Sequence, residues 1–357
     1  MAKKDKTISF IERMEMDNLD PDWNIPCEFP DLTGYKEIAV DLETRDPNLT
    51  TLGPGWARGD GNIVGIAVAA GDYSGYFPIR HQNGHNLDPK VTLRWFKKQM
   101  ATPRIDKIMH NATYDAGWLY AEGIEVQGRI IDTMVAAPLI DENRFSYSLN
   151  NLGRDWIDMR KNEKMLRAAA KDFGFDPKSE MWRLPPMYVG AYAEQDAIMT
   201  LKLWHRLKIE ISEQDLGAIF DLETGLIPLM LEMRKKGVRV DLDKADQART
   251  ALRKQVKTLK GFIDYKSGVK IEPWAAESVK KVFEALDLSY PRTEAGAPSF
   301  TKQYLSSHPS DVAQAIVKLR EFDKADGTFI ETIQRHSHKG RIHCEFHQLR
   351  SDDGGTV

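Results

Sequence analysis

Residues 36–44 read Lys36-Glu37-Ile38-Ala39-Val40-Asp41-Leu42-Glu43-Thr44. The run Ile38-Ala39-Val40 is short, β-prone and bounded by polar residues, which predicts a strand. Residues two apart in a strand share a face, so Asp41 and Glu43 project together from its end. Two later stretches offer carboxylates in matching contexts. In His110-Asn111-Ala112-Thr113-Tyr114-Asp115 a helix is predicted from Asn111 to about Glu122, with Asn111 as its N-cap and Asp115 one turn on. In Tyr192-Ala193-Glu194-Gln195-Asp196 the phenol and the last carboxylate lie four apart on one face of a helix starting near Tyr188. Mg²⁺ and Mn²⁺ take oxygen ligands, and two such ions roughly 3.5–4 Å apart can clamp the attacking and leaving oxygens of a phosphodiester. Four converging carboxylates repel one another unless a cation joins them. Each stretch alone is commonplace; the three in order, each at a strand or helix boundary, point to a two-ion site in which Tyr192 orients a water.

The segments around these motifs alternate strand and helix, as in an α/β domain. Residues 63–70 predict a second strand that turns at Gly71-Asp72 into a return strand over 76–79. The Gly/Pro-rich stretch 52–61 between the first two strands reads as a loop overhanging the site. Its Trp56 and Arg58 could meet a single strand, although a plain surface excursion suits Trp56 better. Residues 107–109 predict a third strand. Residues 1–35 are polar and Pro-containing, an irregular lead-in with Trp23 and Phe29 as anchors. After His205 the texture changes to long helices, predicted over 216–236, 242–262 and 312–335, with Gly237 as a stop. Residues 341–346 alternate like a strand, and the end at Asp352-Asp353-Gly354-Gly355-Thr356-Val357 reads as cut off.

The chain has 357 residues, 41% of them hydrophobic, with 50 Lys and Arg against 53 Asp and Glu and a formal charge of −3. That composition suits ordinary cores and gives no global signal for nucleic acid, so any such contact must be local. Cys27 and Cys344 are too far apart in sequence to form a disulfide framework or zinc spacing, and a reducing, cytosolic setting is expected. No apolar run reaches a membrane span and no signal peptide is expected.

Three features need separate weighing. The tetrapeptide Asp-Leu-Glu-Thr recurs at Asp221-Leu222-Glu223-Thr224 inside a helical run, where residues two apart face different ways, so no site is expected there. Between 249 and 270 stand Arg249, Arg253, Lys254, Lys257, Lys260, Lys266 and Lys270 against Asp264 alone; this reads equally as a duplex-backbone contact or a solvated helix face. His336, His338, His343 and His347 with Cys344 lack the paired spacing of a zinc site, and Met230 and Met233 read as core.

The three motifs resemble those of the proofreading 3′→5′ exonuclease domain of family A, DNA polymerase I type, enzymes, and within them the phage replicative group. The phenol at Tyr192 resembles the tyrosine subgroup of the DEDD exonucleases. Residues 223–241, with Lys236-Gly237-Val238-Arg239-Val240-Asp241, look like the start of a polymerase thumb, and Gly340-Arg341-Ile342-His343 like the start of a palm. The likeness covers about 36–357 and disfavours a plain ribonuclease D. It implies a ribonuclease H-like α/β exonuclease domain with a mixed sheet and flanking helices over 36–208, a mostly helical thumb-like region over 209–335 and a palm beginning at 336–357. It further implies that Asp41 bridges two Mg²⁺ or Mn²⁺ ions, that Glu43 and Asp196 hold the one that activates water, and that Asp115 supports the second. Tyr192 and Glu43 would orient the nucleophile, while Asn111, Leu42 and Thr44 would touch the terminal nucleotide. The substrate would be the 3′ end of single-stranded or frayed DNA, giving 5′-mononucleotides, and Arg253, Lys254 and Lys257 would meet primer-template. A phage protein in the bacterial cytoplasm is implied. The family's His-Asp-Glu stretch does not occur here, so polymerisation is not expected of this chain alone. It would be a shortened polymerase or one half of a divided one that docks a separate polymerase chain. In the second case it would serve mainly in assembly or DNA binding, with weak nuclease activity.

Overall fold

The computed structural model describes residues 22–348, in two compact units: residues 22–236 with 344–348, and Gly237–His343. The first stretch of the lead-in and the final residues, including 352–357, lie outside the described residues.

The first unit is built on five strands: β1 (Glu37–Arg45), β2 (Asn62–Ala70), β3 (Tyr73–Pro78), β4 (Asp106–Met109) and β5 (Ile130–Asp132). Their order is β3-β2-β1-β4-β5. β1 runs antiparallel to β2 and parallel to β4, and β4 is parallel to β5. Helices cover both faces, which explains why β2 reads as a nearly unbroken apolar run. Along β1 the side chains alternate. Ile38, Val40 and Leu42 enter a core with Phe77, Phe96 and Trp118. Ala39 belongs to the opposite core, under the long helix. Asp41 and Glu43 share the parity of Ala39, so period two sends them to the long-helix side.

The longer helices of this unit among the described residues are α1 (Pro89–Met100), α2 (Ala112–Ala121), α3 (Thr133–Ile140), α4 (Leu149–Ile157), α5 (Lys164–Phe173), α6 (Gly190–Glu213) and α7 (Gly217–Lys236). Small residues on the sheet, Ala39, Ala67 and Ala69, meet Ala193 and Ala197 of α6. That lack of bulk lets the long helix lie close over the site-bearing strand. The expected anchors both hold: Trp23 lies against Gly190 and donates from Nε1 to Glu194 Oε1 at 2.6 Å, and Phe29 stacks beside Phe77 at 5.7 Å between ring centres. α7 belongs to this unit through buried Phe220 and Ile227.

Two expectations about the overhanging loop are corrected. Trp56 is neither a surface excursion nor a stacking platform; it is 4% exposed, lies against Gly117 of α2 and carries Arg234 over its ring at 5.5 Å. Arg58 is turned inward, donating to the carbonyls of Leu52, Gly53 and Pro54, which satisfies its guanidinium within the loop. Met230 joins the core, whereas Met233 is exposed.

The second unit holds β6 (Val238–Arg239), α8 (Leu242–Ser267), α9 (Ala276–Ala285), α10 (Lys302–Ser307), α11 (Asp311–Lys324), α12 (Glu331–His336), β7 (Ser337–His338) and β8 (Arg341–Ile342). Its core gathers Ile263, Val282, Phe283, Phe300, Ile316 and Leu319. Gly237 leads into it with φ +63°, the left-handed backbone that ends helices cheaply only at glycine. The continuous helix expected over 312–335 is interrupted by a π-helical segment, Ala325–Ile330. Such segments widen the turn and re-aim side chains. Here Asp326 is presented to α8, where it accepts from Arg249 Nε and Arg253 Nε, each at 2.8 Å. The strand expected over 341–346 is confined to Arg341–Ile342.

Candidate active site

The three motifs come together around β1: the third lies on the long-helix side of the sheet, and the second, whose helix packs in the other core, is tied to the strand through Asp115. Asp41 and Glu43 stand within β1 rather than at its end, because the strand continues to Arg45. A bulge in the β1–β2 register between Glu43 and Thr44 re-aims the chain where the carboxylates end. Opposite Glu43 in the ladder is Gly65, whose missing side chain is filled by Tyr76: a Cβ there would fall 2.0 Å from the Tyr76 hydroxyl. Tyr76 is fixed in turn. His81 Nδ1 donates to Leu184 O at 2.8 Å, which leaves Nε2 as acceptor for the Tyr76 hydroxyl at 2.6 Å. Burial drives the His81 imidazole down to about 4, so it stays neutral in this role.

Asp115 is 4% exposed, one turn into α2, and its Oδ1 accepts the Leu42 backbone N–H at 3.1 Å. That bond ties the second motif to the strand between the two carboxylates of the first. Asn111 stands at the N-cap position in left-handed backbone, φ +69°, yet its side chain does not cap the helix. The cap is supplied by Asp132 at the end of β5, which accepts from Asn111 N, Ala112 N and Met134 N and so closes the starts of both α2 and α3. Leu42 is core, and Thr44 Oγ1 lies 2.7 Å from the Tyr114 hydroxyl.

The third motif is fixed residue by residue. Glu194 accepts from Trp23, Ser74 and the Tyr76 backbone. Gln195 receives Asn162 N at 2.6 Å and donates to Arg160 O at 3.1 Å. Asp196, 3% exposed, faces the strand. Between the two Gln195 bonds lies Lys161, whose Nζ reaches Asp196 Oδ2 at 2.6 Å and the Tyr192 hydroxyl at 3.3 Å.

Burial and mutual charge shift every one of these groups. Burial, then the charge of Asp196, pushes the Asp41 carboxyl up to about 7. Burial, then Asp41 and Asp196, raises Glu43 well above the carboxylate range. Burial, then Asp41, does the same for Asp115. Asp196 is also raised by burial, with Lys161 opposing the rise. Burial works against the Lys161 charge, but Asp196 and Asp41 outweigh it and hold the ammonium above its ordinary range. Burial and the same carboxylates raise Tyr192, which therefore keeps its proton.

A cation suits this donor set. Four carboxylates disfavour one another's ionisation, and Asp196 Oδ1 is buried without a hydrogen-bond partner. Among the described residues no three or more His, Cys, Asp or Glu side chains stand close enough together to hold a metal ion as they are arranged here. The positive charge nearest Asp196 is instead the Lys161 ammonium. Lys161, Asp132 and the Tyr76–His81 pair were not foreseen from the sequence. Only Asp132 carried a local sign, a short apolar run followed by Asp-Thr at a helix start.

The second tetrapeptide lies on α7 as expected and apart from the carboxylates: Asp221 pairs with Arg129, and Glu223 Oε2 accepts from Gln348 at 2.7 Å. In the helical unit Arg253 is paired with Asp326, while Lys254 and Lys257 are exposed. Among the described residues no helix is long and apolar enough to cross a membrane.

Comparison with known proteins agrees with this architecture. A family model described as 3′-5′ exonuclease matches residues 29–212. The chain is 35% identical over 353 residues to a DNA-directed DNA polymerase of Pseudomonas phage M6, covering 96% of this chain and 53% of that protein. It is 29% identical to DNA polymerase DpoZ of Salmonella phage PMBT28, over 92% of this chain and 53% of the relative. It is 23% identical to DNA polymerase I of Synechocystis, over 82% of this chain and 30% of that enzyme. Among solved structures, the POL domain of Pol1 from M. smegmatis, in complex with DNA primer-template and dNTP, matches with a TM-score of 0.70 at 18% identity, covering 93% of this chain and 54% of that one. The last likeness concerns the fold alone. A mixed sheet in this order, with acidic side chains on its central strand and on helices packed against its two sides, defines a ribonuclease H-like exonuclease domain. The chain belongs to the 3′-5′ exonuclease family of family A DNA polymerases. It spans about half the length of the phage relatives it matches.

Proposed function

We propose that this chain is a metal-dependent 3′→5′ exonuclease that hydrolyses the terminal phosphodiester of single-stranded or frayed DNA, releases 5′-mononucleotides and serves proofreading in a family A polymerase. The observation that carries this reading is the convergence of Asp41, Glu43, Asp115 and Asp196, with a buried and unsatisfied Asp196 oxygen, beneath the Tyr192 phenol. Asp41 would be shared between two Mg²⁺ or Mn²⁺ ions, Glu43 and Asp196 would hold one of them, and Asp115 would support the other. Such ions, when bound, supply a nucleophilic water near neutral pH and neutralise charge on the phosphate. The chain's own residues do the positioning. Tyr192 keeps its proton and can orient a water by hydrogen bonding together with Glu43. The bond from Leu42 N–H to Asp115 keeps the second motif in register with the first. Asn111 and Thr44 are assigned to the approach of the terminal nucleotide; Leu42, expected there too, has its side chain in the core and offers only its backbone, already given to Asp115. Lys254, Lys257 and Arg253 are assigned to the phosphate backbone of primer-template DNA. We assign these residues the nuclease step and not nucleotide addition, and place the protein in the cytoplasm of a phage-infected cell.

The test is product analysis on a single-stranded DNA labelled at each end in turn. Expected is stepwise loss from the 3′ end as 5′-mononucleotides, abolished by chelator. Release from the 5′ end, products bearing a 3′-phosphate, or no release with either metal would contradict the reading; the last would favour an assembly or DNA-binding role.

A further inference from the structure

Lys161 lies between α4 and α5, and the loop that carries it is fastened on every side. Its backbone N–H donates to Asn150 Oδ1 at 3.0 Å, while Gln195, the neighbour of Asp196, grips Arg160 O and Asn162 N to either side. The side chain is 18% exposed, and the carboxylate it pairs with is 4% exposed. Its ammonium donates to both third-motif groups, Asp196 and Tyr192, and stands 5.3 Å from the centre of the Tyr192 ring. A lysine held by this many backbone bonds and inserted among like-charged acids is placed there by the fold, not by chance rotamer choice.

We propose that Lys161 is a positioning residue that acts as the site's internal counter-cation. In the metal-free chain it neutralises Asp196 and fixes the Tyr192 phenol, and a divalent ion must compete with it for Asp196. The inference rests on the nuclease reading above. Its physical basis is Coulombic: four carboxylates without Lys161 attract a divalent ion more strongly, and without a metal they repel one another more strongly. One substitution therefore has two opposed consequences. Metal binding tightens, and the metal-free fold weakens by the same linkage.

The experiment compares the full chain with its Lys161→Met and Lys161→Arg variants. It measures Mn²⁺ binding by titration calorimetry and melting temperature with chelator and with saturating Mn²⁺. Expected for Lys161→Met is Mn²⁺ affinity raised about tenfold, a melting temperature lowered in chelator, and recovery of that loss in Mn²⁺. Lys161→Arg keeps the charge and should bind Mn²⁺ as the parent does. A loop-holding role alone would lower the melting temperature equally with and without Mn²⁺; that result, or unchanged or weaker Mn²⁺ affinity in Lys161→Met, overturns the proposal. Asp41→Asn separates this from failure of the nuclease reading. If the parent binds no Mn²⁺, or if Asp41→Asn binds it as well as the parent, the nuclease reading fails, and this inference with it.

Discussion

The chain carries the tetrapeptide Asp-Leu-Glu-Thr twice, and the two copies have opposite fates. At 41–44 it lies on the central strand of the sheet, where Asp41 and Glu43 share one face and Leu42 enters the core on the other. At 221–224 it lies on α7, where a helix turns residues two apart by about 200°, and the acids are spent on Arg129 and Gln348. Leu222, the counterpart of Leu42, is 59% exposed. Identical letters thus give a candidate catalytic edge in one place and a solvated helix face in the other. Chemistry resides in the period of the backbone that carries the residues, not in the motif.

The comparison breaks most visibly if the second glutamates behave alike. Glu43→Gln is expected to lower exonuclease kcat on the order of a thousandfold, whereas Glu223→Gln should leave it within about twofold, since it sits outside the carboxylate cluster. Parallel rate measurements on one DNA substrate decide this, and equal losses would show the two copies to be equivalent.

The strand copy also rests on a buried polar layer that the helical copy lacks. The His81 pKa falls from its ordinary 6.5 to about 4 through burial. A group depressed in this way contributes stability that is present above 6.5 and lost as pH falls toward 4, about 3 kcal/mol in full. Melting followed down that window should therefore show an acid limb that His81→Gln flattens. An identical limb in the variant would remove His81 from the account.

Glycines beside the copies give a smaller contrast. Gly65, facing Glu43, has no room for a methyl group beside Tyr76, and Gly65→Ala should cost about 1–3 kcal/mol. Gly225, just after the helical copy, faces open space, and Gly225→Ala should gain roughly 0.5–1 kcal/mol of helix stability. Denaturant unfolding of both variants measures the difference, and a shared sign would undo it.

What the sequence made legible follows the same division. Asp41, Asp115 and Asp196 could be placed because each sits where a short-range period begins or continues, and those periods are visible within a dozen residues. Lys161 could not, since its position depends on Gln195 and Asn150, and no local pattern links a polar loop to a helix that follows it. Trp56 was misread for a related reason. A tryptophan in a Gly/Pro-rich stretch resembles a surface loop until Gly117 and Arg234, from two other helices, close over its ring. The π-helical segment was equally hidden: within it Asp326 pairs with arginines on α8, some seventy residues earlier in the chain, and no local pattern announces that pairing.

The most direct test of the central claim is mononucleotide release from 3′-labelled single-stranded DNA in Mg²⁺ or Mn²⁺, measured side by side for the parent chain, Asp41→Ala and Asp221→Ala. The account predicts metal-dependent release that is lost in Asp41→Ala and retained in Asp221→Ala. Release that survives Asp41→Ala, or that falls equally in both variants, would contradict it.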